Sequence, residues 1–517
     1  MPTETKLKLR LPADCVARLQ RSPLLKSSSI SGPVTQKLYS VYYDTSDFDL
    51  KRHGVALRLR RCGRSWVQTI KGGGSVAAGL HQRDEWVAPV LKARLDFTKI
   101  TDPALIKLFA AIDLRERLKP VFTTKFTRSI RMLRLAGGGE AEFCLDRGQV
   151  ITGDASVRVC EIELKLRSGN PGQLFRFALE LLHSIPLRLE NASKAERGYL
   201  LYPDGKSPPL KAAPIELDAK MNVSTVFSAI SWNCLNHLHS NETGMLAGRD
   251  IEYLHQMRVA LRRQRSALSI FSRIFSKEAF APIAQKLKWL TSQFGPARDW
   301  NVFVTETLAP VCASFSDHSG MIALQDTCKQ LSHQHDEAAR QAVESAHYAE
   351  LMLQLGAWLS AEAWLDQLPG PTASNKPAGV GAKAPIKKFA TALLAHRHRQ
   401  LKKYSKELTD SSVAELHALR IIVKKQRYTA EFFTGFYSPR EMKRYLLALS
   451  VLQDILGTMN DTANAKRRLN EVAIVGDEGS QQEAVGIVLG WSASLAALKK
   501  LELKQAWAHF NKTKPCW

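Results

Sequence analysis

Residues 255–266 read His-Gln-Met-Arg-Val-Ala-Leu-Arg-Arg-Gln-Arg-Ser, and their spacing decides the fold of the second half of the chain. At about 3.6 residues per turn, His255, Arg258, Arg262 and Arg265 share one helical face, while Leu254, Met257, Leu261 and Leu268 share another. The same design returns further along. His255, Arg258, Arg262, Arg263 and Arg265 are matched by His417, Arg420, Lys424, Lys425 and Arg427, each 162 positions later, with Leu416, Leu419 and Val423 on the apolar side. Gly295, Arg298 and Asp299 recur at the same offset as Gly457, Asn460 and Asp461. A register kept over that distance marks a duplicated helical unit.

Outward from this repeat, helical periodicity holds from Pro214 onward, with one interruption. Pro203–Pro214 (PDGKSPPLKAAP) and Pro369–Pro385, rich in Pro, Gly, Ala and Lys, read as linkers. The expected organisation is a strand-rich domain over 1–203, a linker over 204–221, a helical bundle over 222–368, a linker over 369–385 and a second bundle over 386–510. In the first domain Lys6–Leu11, Val55–Arg61 and Glu161–Leu166 alternate aliphatic with charged residues, the period of a strand. One sheet face is therefore apolar and the other carries acids and bases together. A solvated face allows this, and so does a closed barrel with its polar face inward.

The chain has 517 residues, 73 Lys plus Arg and 49 Asp plus Glu, a net charge of +24 spread over both halves. That surplus attracts polyanions: nucleic acid, anionic membrane or phosphate chains. A charge run without a repeat is ordinarily a solvated face. Here Glu431, four places after Arg427, is the one acid at i+4 from any of these bases, so the stripes repel themselves unless an anion lies across them. Arg offers forked donors to phosphate oxygens, Lys a point charge, and the histidines are expected to add charge as pH falls. Almost no aromatic residue interleaves the stripes to stack bases, Tyr428 alone adjoining the second, which disfavours nucleic acid.

Glu161 and Glu163 lie two apart on one strand face, with Glu142 and Asp146 on a neighbouring segment. Clustered carboxylates suit a hard divalent ion such as Mg²⁺ or Mn²⁺. Arg58, Arg60, Lys71, Arg83 and Arg128 are candidate clamps on phosphate oxygens. The eight cysteines show no metal-ligand spacing and read as reduced thiols. The opening Met-Pro-Thr-Glu-Thr-Lys lacks the apolar core of a secretion signal, and the apolar run Ala484–Leu498 is too short for a membrane span, so a cytoplasmic protein without membrane attachment is expected.

The run from His255 to Ser266, with Phe294-Gly-Pro-Ala-Arg298-Asp299 and the second copy around His417–Arg427 and Asn460-Asp461, resembles the CHAD family (conserved histidine, alpha-helical domain). That resemblance implies two pseudo-symmetric four-helix bundles, binding of inorganic polyphosphate and association with polyphosphate granules. Glu4-Thr-Lys6-Leu-Lys8 resembles the E-x-E-x-K hallmark of the CYTH family, the triphosphate tunnel metalloenzymes, supported by Leu57-Arg58-Leu59-Arg60, Glu142-Phe-Cys-Leu-Asp146, Cys160-Glu161-Ile-Glu163 and Ser193-Lys194-Ala-Glu-Arg197. The resemblance implies an eight-stranded antiparallel tunnel that splits tripolyphosphate into diphosphate and phosphate. Glu4, Asp146, Glu161 and Glu163, joined by Glu142, then stand on the metal side. Lys8, Arg58 and Arg60 are expected to act on the reacting phosphoryl group, with Lys71, Arg83, Arg128 and Lys194 holding substrate, and the ten cationic residues of the two stripes holding polyphosphate.

One residue departs from the hallmark. Lys6 stands where the motif has its second glutamate, a change of two charge units. The expected consequences are weaker metal binding, altered substrate preference, or phosphate binding without catalysis. The primary expectation is a metal-dependent inorganic triphosphatase joined to a polyphosphate-binding module, and the alternative is a polyphosphate-binding scaffold. Oligomeric state leaves no mark in the sequence.

Overall fold

The computed structural model describes residues 3–202, 208–272, 277–360, 385–404, 411–473 and 478–517. Of the expected linkers, 204–207 and all of 369–385 except Pro385 lie outside the described residues, as do 361–368 of the expected first bundle. The chain divides into two compact units, Met1–Leu210 with Glu344–Ala363, and Lys211–Val343 with Trp364–Trp517.

In the first unit eight antiparallel strands close on themselves: β1 (Thr3–Arg10), β2 (Val34–Asp44), β3 (Ala56–Cys62), β4 (Ser65–Ala77), β5 (Leu80–Val90), β6 (Lys119–Arg134), β7 (Glu140–Thr152) and β8 (Ala155–Ser168). Their order is β5-β4-β3-β2-β6-β7-β8-β1, and β1 pairs with β5 to complete the ring. Closure decides between the two readings of the alternating face, because Lys6, Lys8, Arg58, Glu161 and Glu163 are all buried although charged. The intervening Leu7, Leu9, Leu57, Leu59, Ile162 and Leu164 point the other way and are also buried. The helix Pro171–Leu182 packs on β1 and β8.

The helix Ala346–Ser360 belongs to this unit and packs along Pro171–Leu182, which corrects the expected bundle of 222–368. Its Gly356 makes that contact: a Cβ there would stand 2.2 Å from the Phe175 ring. Tyr348, Leu351, Met352, Leu355 and Leu359 are buried on the same helix, an apolar stripe that by itself does not say which core it serves.

Among its described residues the second unit is built of helices, with one isolated bridge between Asn222 and Pro385, and its helices begin in the register of the repeat. Val223–Leu246, Ile251–Phe271 and Lys277–Val302 are answered by Ile386–Lys403, Val413–Phe432 and Pro439–Ala473. Ser319–Glu344 is answered by Glu478–Lys512. Corresponding helices also touch: Val223–Leu246 meets Ile386–Lys403, and Ile251–Phe271 meets Val413–Phe432, as around a twofold axis. The copies do not keep separate cores. Trp300, Phe303, Leu308, Met321 and Leu324 of the first share a buried cluster with Ala465, Leu469, Val472 and Val488 of the second.

Among the described residues one helix segment, Gln482–Lys512, is long and apolar enough to cross a bilayer by length and composition alone, at a mean hydropathy of 1.3. The sequence expectation had stopped this run at Leu498. The same segment buries Ala484, Val488, Leu503, Trp507 and Phe510 in the helical unit.

Candidate functional sites

The tunnel site begins with β1, whose alternation sends Glu4, Lys6 and Lys8 to one side. Strand register then sets their neighbours: Lys8 lies opposite Glu163 on β8, Lys6 opposite Lys165 on β8 and His81 on β5, and Lys71 on β4 opposite Glu85 on β5. Ser193 caps the helix Lys194–Leu200 through a capping box with Glu196, and that helix delivers Lys194 into the tunnel.

The acids fall into two groups. Asp146, Glu161 and Glu163 bring carboxylate oxygens within 4.8 Å of one another. The Lys194 ammonium stands among them, 2.7 Å from Asp146, 3.1 Å from Glu163 and in contact with Glu161. Arg128 donates through Nε and Nη2 to the two Asp146 oxygens, each at 2.7 Å, and through Nη2 to Glu163 at 3.0 Å. Lys8 approaches Glu163 at 3.4 Å, and Arg197 holds Glu161 at 2.6 Å. Burial penalises these carboxylates, but Lys194 and the other cations hold all three below the usual carboxylate range.

Glu4 and Glu142, expected in the same cluster, are not in it. Glu4 is held by Lys6 at 2.8 Å, Lys71 at 3.3 Å and Lys165 at 3.7 Å. Glu142 pairs with Lys165 at 3.0 Å and contacts Arg167; burial notwithstanding, Lys165 and Arg167 lower its carboxyl to about 2. These acids sit further along β1 and β7, where long basic side chains reach them first.

The expected substrate-side residues converge. Lys8, Arg58, Arg60, Lys71, Arg83, Arg128 and Lys194 all line one small cavity of about 100 Å³, together with Lys6, Lys165 and the acids Glu4, Glu85 and Glu163. Nine basic side chains thus face three acidic ones. Arg58 donates to Tyr42 Oη at 3.4 Å and to Glu85 at 3.4 Å, and its Nε is buried without a hydrogen-bond partner. Burial and the neighbouring Arg58 lower the Arg60 guanidinium to about 10, which leaves it charged at neutral pH. Glu85 was not singled out from sequence; the register of the β4–β5 hairpin sets it opposite Lys71.

In the helical unit a cleft of about 880 Å³ is lined by His255, Arg258, Arg262, Arg263, Arg420, Lys424 and Arg427 of the expected set. Arg258 donates to the Phe294 carbonyl at 2.8 Å, and a Cβ on Gly295 would lie 3.5 Å from its guanidinium; Gly457 stands in the same relation to Arg420, at 3.8 Å. The repeated glycines thus mark where an arginine lies against helix backbone. Arg262 Nε, Arg420 Nε and His255 Nδ1 are buried without hydrogen-bond partners, a costly state that an anion would relieve.

Three expected residues fall elsewhere. Arg265 and Lys425 are exposed outside the cleft, rotated off the face that holds Arg262 and Lys424. His417 is exposed, bonded to Asn460 Oδ1 at 2.9 Å, and borders an apolar groove with Leu416, Met459 and Leu489. The expected titration of histidine also fails at His255, which burial and Arg298, Arg262 and Arg258 lower to about 3. Lys424 takes the part instead: burial, Arg420 and Arg262 push its ammonium down to about 7.

The structure adds Arg298, Arg468 and Lys211 to the lining. Arg468 reaches Asp299 at 3.4 Å, and Arg258 reaches it at 3.5 Å. Residues 211–215 of the expected linker border the cleft, fixed by Asn233 Nδ2 donating to the Ala213 carbonyl at 3.0 Å.

The CYTH family model matches residues 2–199 and the CHAD family model residues 229–470. The chain is a CYTH domain followed by a CHAD domain. An inorganic triphosphatase of Haemophilus influenzae is 33% identical over 165 residues, covering 32% of this chain. The chain spans 46% of that relative's length. An uncharacterized protein of Mycobacterium tuberculosis is 26% identical over 530 residues, with 96% of this chain and 92% of that protein covered. The solved CHAD domain of the plant Ricinus communis is 32% identical at a TM-score of 0.51, covering 60% of this chain and 99% of its own.

Proposed function

We propose that the CYTH domain hydrolyses inorganic tripolyphosphate and that the CHAD domain binds inorganic polyphosphate, in the cytoplasm and at polyphosphate granules. The closed barrel with nine bases facing three acids supports the first part most strongly. Lys8, Arg58, Arg60 and Arg128 neutralise phosphoryl oxygens and hold the chain in line, so that a water attacks the terminal phosphorus while the anhydride P–O bond breaks. Positioning and electrostatics supply most of the acceleration in such transfers.

Asp146, Glu161 and Glu163 present hard oxygen donors of the kind that suits Mg²⁺ or Mn²⁺. They would hold the ion once Lys194 withdrew from among them. Bound there, the ion would draw charge off the phosphoryl oxygens. The test is phosphate release from tripolyphosphate, ATP and long-chain polyphosphate with and without Mg²⁺ or Mn²⁺. Metal-dependent cleavage of tripolyphosphate is expected, and inertness toward all three would remove the enzymatic reading. Lys6 favours one second reading, a polyphosphate-binding scaffold, for which Lys6→Glu should create or raise turnover; no gain would leave that reading unsupported.

For the cleft, the buried unpartnered donors of Arg262 and Arg420 support a phosphate polymer. The aromatic residues in its lining, Tyr428 and Phe303, are themselves buried, which leaves no platform for nucleobases. Displacement of bound polyphosphate by RNA at equal phosphate concentration would favour nucleic acid instead.

A further inference from the structure

We propose that the tunnel takes its triphosphate as the free anion, not as a metal complex, with the Lys6 ammonium supplying the positive charge at the position where the motif carries an acid. This rests on the reading of the tunnel as a triphosphate site and concerns binding, as distinct from turnover.

Lys6 lies between Glu4 and Lys8 on the inward alternation of β1, is 8% exposed and lines the cavity. Its ammonium donates to Glu4 at 2.8 Å. Glu4 is the acid of this motif that remains, and two further lysine amines, Lys71 and Lys165, already lie within 4 Å of it. Three amines around one carboxylate leave no net negative potential to attract a divalent cation.

While Lys194 stays among them, the remaining acids are no freer. Asp146, Glu161 and Glu163 contact Lys194, and Lys71 pairs with Glu85 at 2.8 Å. A glutamate at position 6 would turn nine bases against three acids into eight against four. The lining as it stands thus repels a cation and attracts an anion more strongly than the motif's own arrangement would. Among side chains as buried as Lys6, Lys8, Arg58 and Glu163 the difference is poorly screened by salt. A polyanion that arrives with its charge already masked by a divalent ion gains less here than the bare anion does.

The test is calorimetric titration of tripolyphosphate into the full chain carrying Arg262→Glu and Lys424→Glu, which silence the helical cleft. Titrations run in EDTA and in excess Mg²⁺, with Lys6 and with Lys6→Glu. With Lys6 present, the affinity in EDTA should equal or exceed that in Mg²⁺. Lys6→Glu should weaken binding in EDTA at least tenfold and recover most of the loss when Mg²⁺ is added. Should Lys6→Glu fail to fold by thermal melting, Lys6→Met serves, with at least a threefold loss expected in EDTA. Binding by the Lys6 protein only in Mg²⁺ would overturn the inference and leave the triphosphate site standing. An unchanged affinity on replacing Lys6 would overturn it too. No binding in either condition, whatever residue stands at 6, would instead remove the triphosphate reading itself.

Discussion

Glu163 shows at the scale of one residue how the tunnel's charges depend on each other. Its carboxylate is buried and faces Arg128, Lys194 and Lys8 at 3.0, 3.1 and 3.4 Å. Removing one member of such a network leaves buried charge uncompensated, typically at about 3–5 kcal/mol. Glu163→Ala should therefore lower the unfolding free energy by about that amount in denaturant titration, as well as abolishing phosphate release; release at the original rate would take these acids out of the mechanism. Lys424 gives a second residue-scale prediction, of opposite signs for folding and binding. Its folded value of about 7 lies below the ordinary lysine range, so the unfolded chain holds more protons between about pH 7 and pH 10. Its contribution to stability therefore rises with pH across that window. A bound polyanion favours the charged form, so binding takes up a proton and polyphosphate affinity falls as pH climbs through 7. Lys424→Arg should flatten both trends, measured by melting and by titration at pH 6, 7, 8 and 9; a slope unchanged in that variant would assign the effect to another group.

Elements show where sequence reading stopped. The repeat at 162 residues marked one helix pair, Ile251–Phe271 and Val413–Phe432, because a helix carries its own periodicity. The helix Ala346–Ser360 defeated it, since an apolar stripe reports that a face is covered but not by what. Gly356 is the test of that placement: Gly356→Leu should drive a side chain into Phe175 and destabilise the first unit by about 1–3 kcal/mol, with faster proteolysis around the helix. An unaltered melt would mean that the helix does not pack there. Inside the tunnel, alternation revealed which residues share a face, and family resemblance supplied their roles. Neither gave the register that separates Glu4 and Glu142 from Asp146, Glu161 and Glu163. In the cleft the repeat foretold Arg262 and Lys424, yet it hid Arg468, whose counterpart at the same offset is Glu306, so symmetry drew no attention to it. The helical spacing Gly457, Asp461, Asn464, Arg468 carried the missed signal.

At the scale of the whole molecule two cationic cavities in one chain differ in kind. The tunnel is small, closed by strand pairing and filled with ion pairs, so a guest enters only by exchanging partners with buried acids. The cleft is roughly nine times larger, about 880 against 100 Å³, and leaves Arg262 Nε and Arg420 Nε buried without partners, so a long anion fills unmet capacity beside the pairs that Arg258 and Arg468 make with Asp299. Binding and turnover should consequently come apart. Charge reversal at Arg262 or at Lys424 should each weaken long-chain polyphosphate at least tenfold, and the pair further, because the two residues are twofold equivalents lining one cavity. The salt dependence of binding should become shallower as these cations are lost. Phosphate release from tripolyphosphate should stay within about twofold in the same variants, whereas Glu163→Gln should cost release and leave polymer affinity intact. Equal loss of both activities in either set would mean that one site serves both anions, and the assignment of a short chain to the barrel and a long one to the helices would have to be abandoned.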